Sequence, residues 1–468
     1  MNKTVKIIFI FAVLLLMNNS TKAQTITWNR VYGGLQQEYG KCGIQTSDGG
    51  YIIVSLKQGI GGGTVLLKLD QYGNEEWIKI IDSLGIGMCI QQTINNEFII
   101  AGIYNGSKAM LIKTTKSGNV IWKKYYSINN EFSMFLKVKE LSNGNLLMCG
   151  TSSIPPKAYF VKTDSLGNLI WQNSFTNSTS STNAFDINES EDNYYYTTGV
   201  TSINGHSKTL IGKISSEGKY IWFKSHGSEE KGDSENGQII IPETNNLISV
   251  GGTLQDFYDY KGHFSKYDSS GNFIYNRLYE SMDEFHSMAK CISGYTFCGS
   301  SAHERKINFI KITKDGIEIN NVILNSSTES FDYGNCINIT LGGFIITGDT
   351  GPEDNKDVLV IKTDSGGYAP VKIYSDNIIV PSNIKLYQNY PNPFNPVTNL
   401  EFRIPESGFI SMKVYDILGK EVAVLVNEML SPGIYKATFN GSNFASGVYF
   451  VRMESGDFRD IKRMVLIK

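Results

Sequence analysis

A residue spacing that recurs seven times most constrains how this 468-residue chain can fold. In each copy a lysine is followed five residues later by a glycine, and in five copies an aromatic residue follows four positions after the glycine. The period is roughly 45–53 residues, which is typical of propellers and solenoids. The lysine–glycine pairs are Lys68 and Gly73, Lys113 and Gly118, Lys162 and Gly167, Lys213 and Gly218, Lys266 and Gly271, Lys311 and Gly316, and Lys362 and Gly367; the aromatic residues are Trp77, Trp122, Trp171, Trp222 and Tyr275.

Each copy has the residues of four short strands. β-branched and aromatic runs alternate with turns rich in Gly, Asn and Asp, as at Ser117-Gly118-Asn119. Four-stranded units at this period are typical of propeller blades. A solenoid is the alternative, but it would need capping repeats and usually has shorter units. We therefore predict an all-β chain, with a seven-bladed β-propeller over residues 24–370 followed by a small Ig-like β-sandwich.

The two ends of the repeat region complement each other. Residues 25–34 resemble the second half of a repeat, with Trp28 in the place of the aromatic residue. The seventh copy lacks a good final strand, because Pro370 removes a hydrogen-bond donor. We predict that the strand around Trp28 closes the ring by pairing with residues 358–363.

The repeated lysine and aromatic residue lie nine positions apart around a turn. A four-residue loop would make them cross-strand partners, whereas a three-residue loop with a bulge would shift the register. In the first case we expect the lysine stem to lie on the indole while its ammonium group stays in water. Either way, these residues are interpreted as scaffold.

The N-terminus has the features of a secretory signal peptide over residues 1–23. Lys3 and Lys6 precede an apolar run at residues 7–17, and Ala23 before Gln24 is the predicted cleavage point. An N-terminal anchor helix is the alternative. The net charge of −2 gives no electrostatic argument for nucleic acid, and we predict no membrane span in the mature form.

Six cysteines in an exported chain raise the question of disulfides. Cys42, Cys89 and Cys336 occupy similar places in the first strand of three repeats, which favours small buried core residues. Cys291 and Cys298 flank a predicted hairpin, so a disulfide between them is the alternative.

Loop lengths predict the binding face. The loops between second and third strands, at residues 56–63, 201–208, 253–261 and 349–357, and the loops between repeats, at residues 176–182, 225–238 and 325–334, are long and irregular and lie on one face. Function tends to sit on such loops. These loops are acidic. Their carboxylates could simply be solvated, bind calcium or contact a basic partner. The aromatic residues among them could stack on sugars or cover the loops. The candidates are Glu229, Glu230, Asp233, Asp256, Phe257, Tyr258, Asp259, Tyr260, Asp283, Asp332, Asp354 and Asp357.

The sequence assigns no catalytic residue. The five histidines lack metal-ligand spacing, and there is no nucleophile elbow, phosphate loop or CxxC. The turn from Asp70 to Trp77 superficially resembles the Asp-box of sialidases, but its spacings are one residue longer, and the repeat region has only three arginines for a substrate carboxylate. Carboxylates converging across loops could still form a glycosidase pair.

The C-terminal part follows a different pattern. Residues 371–383 are a predicted linker, and the three prolines at 391–396 exclude a helix or a central strand. Six short strands are predicted at residues 400–404, 410–415, 421–426, 434–439, 448–453 and 461–467. Residues 384–468 resemble the C-terminal sorting domain of the type IX secretion system, at Asn389, Pro391, Asn392, Pro393, Phe394, Asn395, Pro396, Gly419, Gly447 and Lys468.

The resemblance implies passage through the periplasm and outer membrane of a Bacteroidetes-type bacterium, with the type IX translocon and sortase as partners. It also implies cleavage of the domain, with release or attachment to surface lipopolysaccharide. An ordinary Ig-like adhesion module is the alternative. The repeats more loosely resemble propellers carried as cargo by that system.

Together these observations predict an exported β-propeller that acts as a non-catalytic binding module for glycan, polymer or protein. The alternatives are a propeller glycosidase or polysaccharide lyase and a structural protein of the cell envelope. No cofactor is predicted, apart from calcium as an open alternative.

Overall fold

The computed structural model describes residues 27–34, 36–59, 61–176, 181–227, 234–243, 247–256, 259–301, 306–324, 332–352, 355–369, 384–404, 408–430, 433–456 and 458–468. The predicted signal peptide with Ala23 and Gln24, the predicted linker, and Glu229, Glu230, Asp233, Phe257, Tyr258 and Asp354 lie outside these ranges. Every regular element within them is a strand.

Seven four-stranded antiparallel sheets form the blades of a propeller, as predicted. Strand β1 spans Trp28–Tyr32. Blade 1 contains β2 Glu38–Gln45, β3 Tyr51–Lys57, β4 Gly63–Leu69 and β5 Glu75–Asp82; blade 2 contains β6 Gly85–Gln92, β7 Phe98–Tyr104, β8 Lys108–Thr114 and β9 Val120–Tyr126; blade 3 contains β10 Ser133–Glu140, β11 Leu146–Ser152, β12 Lys157–Thr163 and β13 Leu169–Phe175. Blade 4 contains β14 Thr182–Glu189, β15 Tyr195–Ile203, β16 His206–Ile214 and β17 Tyr220–His226; blade 5 contains β18 Ser234–Pro242, β19 Leu247–Asp256, β20 Asp259–Asp268 and β21 Phe273–Tyr279; blade 6 contains β22 Glu284–Cys291, β23 Gly294–Ser301, β24 Lys306–Thr313 and β25 Glu318–Leu324.

Blade 7 combines the two ends of the repeat region. It contains β26 Tyr333–Thr340, β27 Gly343–Thr350 and β28 Asp357–Asp364, and β1 is its outer strand. Trp28 lies opposite Lys362, and Tyr32 lies opposite Val358. This pairing is the one that ring closure requires, and it covers β28 on both sides, so that β1 is the outer edge strand of the blade. The inner strand β26 then contacts β2 of blade 1, which completes the ring.

The repeated turn joins neighbouring blades. In blade 1, Asp70 accepts hydrogen bonds from the backbone N–H groups of Tyr72 and Asn74, both at 2.8 Å. Gly73 then adopts a φ of +80°, which L-residues with a Cβ avoid. The indole of Trp28 covers this glycine so closely that an added Cβ would lie 2.8 Å from the ring. The same contact joins Trp77 to Gly118, Trp122 to Gly167, Trp171 to Gly218 and Trp222 to Gly271.

The repeated lysines are cross-strand partners of the aromatic residues, but the loop between them is not the regular four-residue one. In blade 1 the Gly73 N–H donates to the Asp70 carbonyl and the Asp70 N–H to the Asn74 carbonyl, and a bulge then shifts the register between Leu69 and Lys68 so that Lys68 meets Trp77. Lys68 pairs with Trp77, Lys113 with Trp122, Lys162 with Trp171 and Lys213 with Trp222.

The expectation that the lysine ammonium group stays in water was wrong, however. Lys113 is 8% exposed, and its Nζ lies 2.6 Å from a carboxylate oxygen of Glu97, in the preceding turn. The lysines that do lie over indoles are Lys79 and Lys224, at 5.5 Å and 5.8 Å from the rings of Trp77 and Trp222.

Two of the predicted long loops are strands. Residues 201–208 belong to β15 and β16, which meet at Asn204-Gly205, both with positive φ. Such Asn-Gly pairs favour the two-residue hairpin turn whose twist matches the flanking strands. In blade 5, Asp256 pairs with Asp259, so the hairpin continues almost to its tip. The predicted irregular loops at these two places were therefore wrong.

The C-terminal residues form two sheets. A three-stranded sheet contains β29 Lys385–Leu386, β30 Val397–Ile404 and β33 Gly433–Asn440, and a four-stranded sheet contains β31 Gly408–Tyr415, β32 Glu421–Leu430, β34 Gly447–Ser455 and β35 Phe458–Leu466. Both contribute to one apolar core that includes Phe402, Met412 and Val451. All six predicted strands are present, and the arrangement fits an Ig-like sandwich.

Candidate functional site

The first strand of every blade carries a β-bulge at the same position. The pairing register shifts between Gly40 and Cys42 in blade 1, and at the equivalent residues of the other six blades. Bulges bend a strand and redirect a side chain. The residue after each bulge lines the central channel, and we call these seven residues the axial ring: Cys42, Cys89, Lys137, Asp186, Ile239, Ser287 and Cys336.

The channel has a cavity of about 560 Å³. It is lined by the axial ring and by residues nearer the C-terminal ends of the inner strands, such as Ile44, Lys139 and Lys290. These strand ends lead into the short turns between first and second strands. The cavity therefore lies on the short-turn side of the ring, whereas the sequence predicted binding on the opposite face.

Asp186 has an oxygen without a partner inside this channel. The side chain is 2% exposed, and its Oδ2 accepts hydrogen bonds from Asn188 Nδ2 at 2.9 Å and from the backbone N–H of Ile240 at 3.1 Å. Its Oδ1 is buried and has no hydrogen-bond partner among the described residues. A buried carboxylate oxygen in this state is costly unless something donates to it. Asp186 can therefore accept a hydrogen bond from a ligand.

Lys137 supplies positive charge at the next position of the ring. It is half-buried and lines the same cavity. Burial lowers the pKa of Lys137, but the neighbouring Cys89 and Asp186 outweigh this effect, and the pKa is raised overall. The side chain therefore stays a cation over the physiological range.

Three thiols occupy consecutive positions of the axial ring, in blades 7, 1 and 2. Cys42 Sγ lies 2.9 Å from Cys336 Sγ, and Asn338 Nδ2 donates to Cys336 Sγ at 3.2 Å. The hydrogen bond between the thiols lowers the pKa of Cys336 and raises that of Cys42 to about 12. Of the two, Cys336 therefore has the greater thiolate character.

The predicted burial of Cys42, Cys89 and Cys336 is confirmed. The alternative disulfide between Cys291 and Cys298 is wrong, because Cys291 pairs with Gly294 and Cys298 with Ser287, so the two cysteines do not lie opposite each other. In the described part of the chain, no group of three or more His, Cys, Asp or Glu side chains is arranged to hold a metal ion.

The described members of the predicted acidic face lie apart from this channel. Asp283 and Asp332 are 8% and 0% exposed, and Asp332 accepts a hydrogen bond from the Thr350 hydroxyl. Asp357 packs against Gly33, where an added Cβ would meet its carboxylate. Tyr260 is 39% exposed, and Asp256 and Asp259 end the two strands of one hairpin. Glu229, Glu230, Asp233, Phe257, Tyr258 and Asp354 lie outside the described residues, so the calcium prediction stays a prediction.

Sequence reasoning missed Lys137, Asp186, Ile239 and Ser287. The signal was present, since every ring residue lies roughly 25 residues before the repeated lysine of its blade. Only the three cysteines were noticed, because they are of one type.

In the C-terminal domain, the proline-rich motif binds the last strand. The buried Asn389 donates from Nδ2 to Thr398 Oγ1 at 2.9 Å. Asn392 bridges the same region to β35: its Nδ2 donates to the Arg463 carbonyl at 3.0 Å, and its Oδ1 accepts from the Val465 N–H at 2.9 Å. Phe394 is buried and exchanges backbone hydrogen bonds with Val465 and Ile467.

The other predicted motif residues are structural. Pro391 accepts through its carbonyl from Thr398, and the Pro396 carbonyl accepts from Gly441. Pro393 and Asn395 lie in bends on either side of Phe394. Gly419 has a φ of +77° in a turn capped by Asp416, Gly447 begins β34, and the Lys468 N–H donates to Ser446. The proline-rich segment 389–396 and the last strand β35 are thus joined by hydrogen bonds.

Residues 388–468 match the protein family described as "Secretion system C-terminal sorting domain". The chain therefore carries a type IX sorting domain, which directs export across the outer membrane to the cell surface or the medium. Interaction with the type IX secretion machinery follows from the same domain. Among the residues described here, no helix is long and apolar enough to cross a bilayer.

Solved structures resemble the chain at low identity. A protein of unknown function from Bacteroides caccae is 12% identical, with 62% of this chain and 94% of that chain covered and a TM-score of 0.39. The polysaccharide lyase Uly1 is 8% identical, with 74% and 93% covered and a TM-score of 0.48. YCF48 from Cyanidioschyzon merolae is 11% identical, with 71% and 98% covered and a TM-score of 0.45. A comparison with curated proteins finds no match. The structural likeness extends no further than the fold.

Proposed function

We propose that this exported propeller is a non-catalytic binding protein and that its ligand enters the central channel from the short-turn side. The observation that carries the proposal is the unpartnered Oδ1 of Asp186, which lines a cavity of about 560 Å³ beside the ammonium group of Lys137. A concave site with a few convergent polar groups is the usual form of a small-ligand site.

The lining indicates the chemistry of the ligand. Lys137, Lys139 and Lys290 provide positive charge, and Asp186 accepts hydrogen bonds. Ile44 and Ile241 provide apolar walls. An acidic sugar combines the three matching groups. Its carboxylate would pair with the lysines, a hydroxyl would donate to Asp186, and its C–H faces would pack against the isoleucines. The proposed ligand is therefore the terminal unit of an acidic glycan.

The sequence left a glycosidase or lyase and a structural role as alternatives. An enzyme was expected to show two or more acids above an aromatic floor on the long-loop face. The channel instead has Asp186 and Glu189 on the short-turn side, and its lining contains no aromatic residue within the ranges that the structure describes. This arrangement favours binding.

Thermal unfolding of the full chain with galacturonate tests the proposal, and galactose is the matched neutral sugar. A ligand at 100 times its dissociation constant adds about 2.7 kcal/mol to the free energy of unfolding. We expect galacturonate to raise the unfolding midpoint more than galactose does. Lys137→Met should abolish the difference, because it removes the charge and keeps the length of the side chain.

Lys116→Met is the control, since Lys116 is exposed on a turn of blade 2. It should respond to both sugars as the wild type does. A Lys137→Met protein with an unchanged response would place the ligand elsewhere. Equal midpoints with both sugars and without them would favour a structural role.

A further inference from the structure

Two thiols meet at the place where the ring closes. Cys42 belongs to the inner strand of blade 1 and Cys336 to the inner strand of blade 7, 294 positions later in the chain. Their sulfur atoms are 2.9 Å apart, well inside the usual non-bonded distance of two sulfurs. A disulfide bond is about 2.03–2.05 Å long, so a sub-ångström movement of the side chains separates the contact from a bond.

We propose that Cys42 and Cys336 form a disulfide in the exported protein and that this bond fastens blade 1 to blade 7 at the channel axis. Both residues follow bulges at the same height in adjacent inner strands, which fixes their side chains toward each other. Asn338 lies beside both sulfurs, with Nδ2 at 3.2 Å from Cys336 and 3.9 Å from Cys42. The export route passes through compartments where disulfides persist.

The reaction needs a disulfide as oxidant, either a small molecule or a thiol oxidoreductase. The Cys336 thiolate attacks one sulfur of the oxidant, whose S–S bond breaks and releases a thiolate. Cys42 then attacks Cys336 in the resulting mixed disulfide, and the Cys42–Cys336 bond forms as the second oxidant thiolate leaves. The two protein thiols lose two electrons and two protons, and the oxidant becomes two thiols.

The other four cysteines are poorer partners. Cys89 borders Cys42 on its other side, but its hydrogen bond to Cys42 and its burial raise its pKa well above the usual value, so it is a poorer nucleophile than Cys336, whose pKa is lowered. Cys149 and Cys298 are buried in the second strands of blades 3 and 6, and Cys291 lies near the turn of blade 6. The pair at the seam is therefore the one that oxidation should select.

The bond would add a covalent link where the ring is closed only by strand pairing. Blade 7 is held closed by β1, which has only five residues paired with β28. A link between inner strands holds blades 1 and 7 together even when β1 detaches. Because it closes a very long loop, it restricts the unfolded chain strongly.

Peptide mapping tests the proposal on the full chain after incubation with oxidised glutathione. Trypsin separates the three ring cysteines into the peptides 42–57, 80–108 and 315–356. We expect a reductant-sensitive cross-link between peptides 42–57 and 315–356, with Cys89 free to react with an alkylating agent. A cross-link between 42–57 and 80–108, or full alkylation of all three cysteines after oxidation, would overturn the proposal.

Thermal unfolding gives a second measurement. Reductant should lower the midpoint of the oxidised wild type by roughly 5 °C or more. Cys42→Ser should remove this sensitivity, and the matched control Cys291→Ser should keep it. If Cys42→Ser does not fold, the cross-link in the wild type still decides the question. Sensitivity that persists in a folded Cys42→Ser protein would contradict the assignment.

Discussion

The outer strands and the axial ring of this propeller are built on opposite principles. At the periphery, five tryptophans, Trp77 and Trp122 among them, cover the glycine of the next blade in the same way, whereas Gly316 is covered by Phe264 and Arg277 and Gly367 by Phe309. At the axis, equivalent positions hold thiols, a lysine, a carboxylate, a hydroxyl and an alkyl group. The periphery is largely uniform because most blades solve the same packing problem in the same way. The axis is varied although the backbone places its seven residues identically.

This contrast separates scaffold from candidate site. A side chain that recurs at every equivalent position serves the blade interface, whereas positions that share a backbone geometry and differ in chemistry are free to serve a ligand. If the contrast is correct, substitutions at the periphery should cost stability, and substitutions at the axis should cost binding.

The largest effect is expected for Gly118→Ala. Gly118 has a φ of +78°, and an added Cβ would lie 2.6 Å from the Trp77 ring. The left-handed backbone costs roughly 1–2 kcal/mol for a residue with a Cβ, and overpacking adds about 1–3 kcal/mol. We expect a loss of roughly 2–4 kcal/mol in the free energy of unfolding, measured by denaturant titration.

Gly144→Ala is the matched control. Gly144 has nearly the same φ, +80°, but nothing lies within 4 Å of an added Cβ. Its cost should be only that of the backbone, about 1–2 kcal/mol. Equal losses in the two variants would show that the indole contact contributes nothing and would remove the main support for a packed, uniform periphery.

The next effect concerns Lys362, the repeated lysine of blade 7. Lys68, Lys113, Lys213 and Lys266 each have a carboxylate partner. Lys362 is 2% exposed and donates to the Thr363 carbonyl at 2.6 Å. Burial lowers the pKa of Lys362 to about 8 from 10.5.

Since the unfolded chain binds this proton more tightly, stability should rise as the pH increases from about 8 to 10.5. Lys362→Met should therefore stabilise the protein at pH 7 by about 1–3 kcal/mol and flatten the pH dependence in that window. Lys113→Met, which leaves Glu97 without its cation, should destabilise instead. A loss of stability in Lys362→Met would mean that this lysine has a compensation beyond the Thr363 carbonyl.

The sequence predicted what depends on local spacing. The nine-residue separation of Lys68 and Trp77 gave their pairing, and the half-repeat around Trp28 gave the pairing of β1 with β28. Alternation of apolar residues gave the strands of the sorting domain. In each case the answer is contained within one hairpin or one repeat.

The misses depend on tertiary contacts or on a turn signal that was overlooked. The burial of Lys113 follows from Glu97, which the fold brings beside it. The loop predicted at residues 201–208 ignored Asn204-Gly205, a local hairpin signal. The axial ring could not be found by looking for one repeated residue type, because its members share a backbone position and nothing else.

The smallest change in stability is expected at the axis, for Lys137→Met. The Nζ of Lys137 lines a channel, and the methionine side chain has similar length, so the packing of its stem is kept. We expect the free energy of unfolding to change by about 1 kcal/mol or less, since the cost of burying the cation offsets much of its attraction to Asp186. Denaturant titration measures this on the same protein used for sugar binding. A protein that keeps its stability and loses the response to galacturonate would establish the axis as the site, whereas a loss as large as that of Gly118→Ala would make Lys137 part of the scaffold and end the distinction between the two regions.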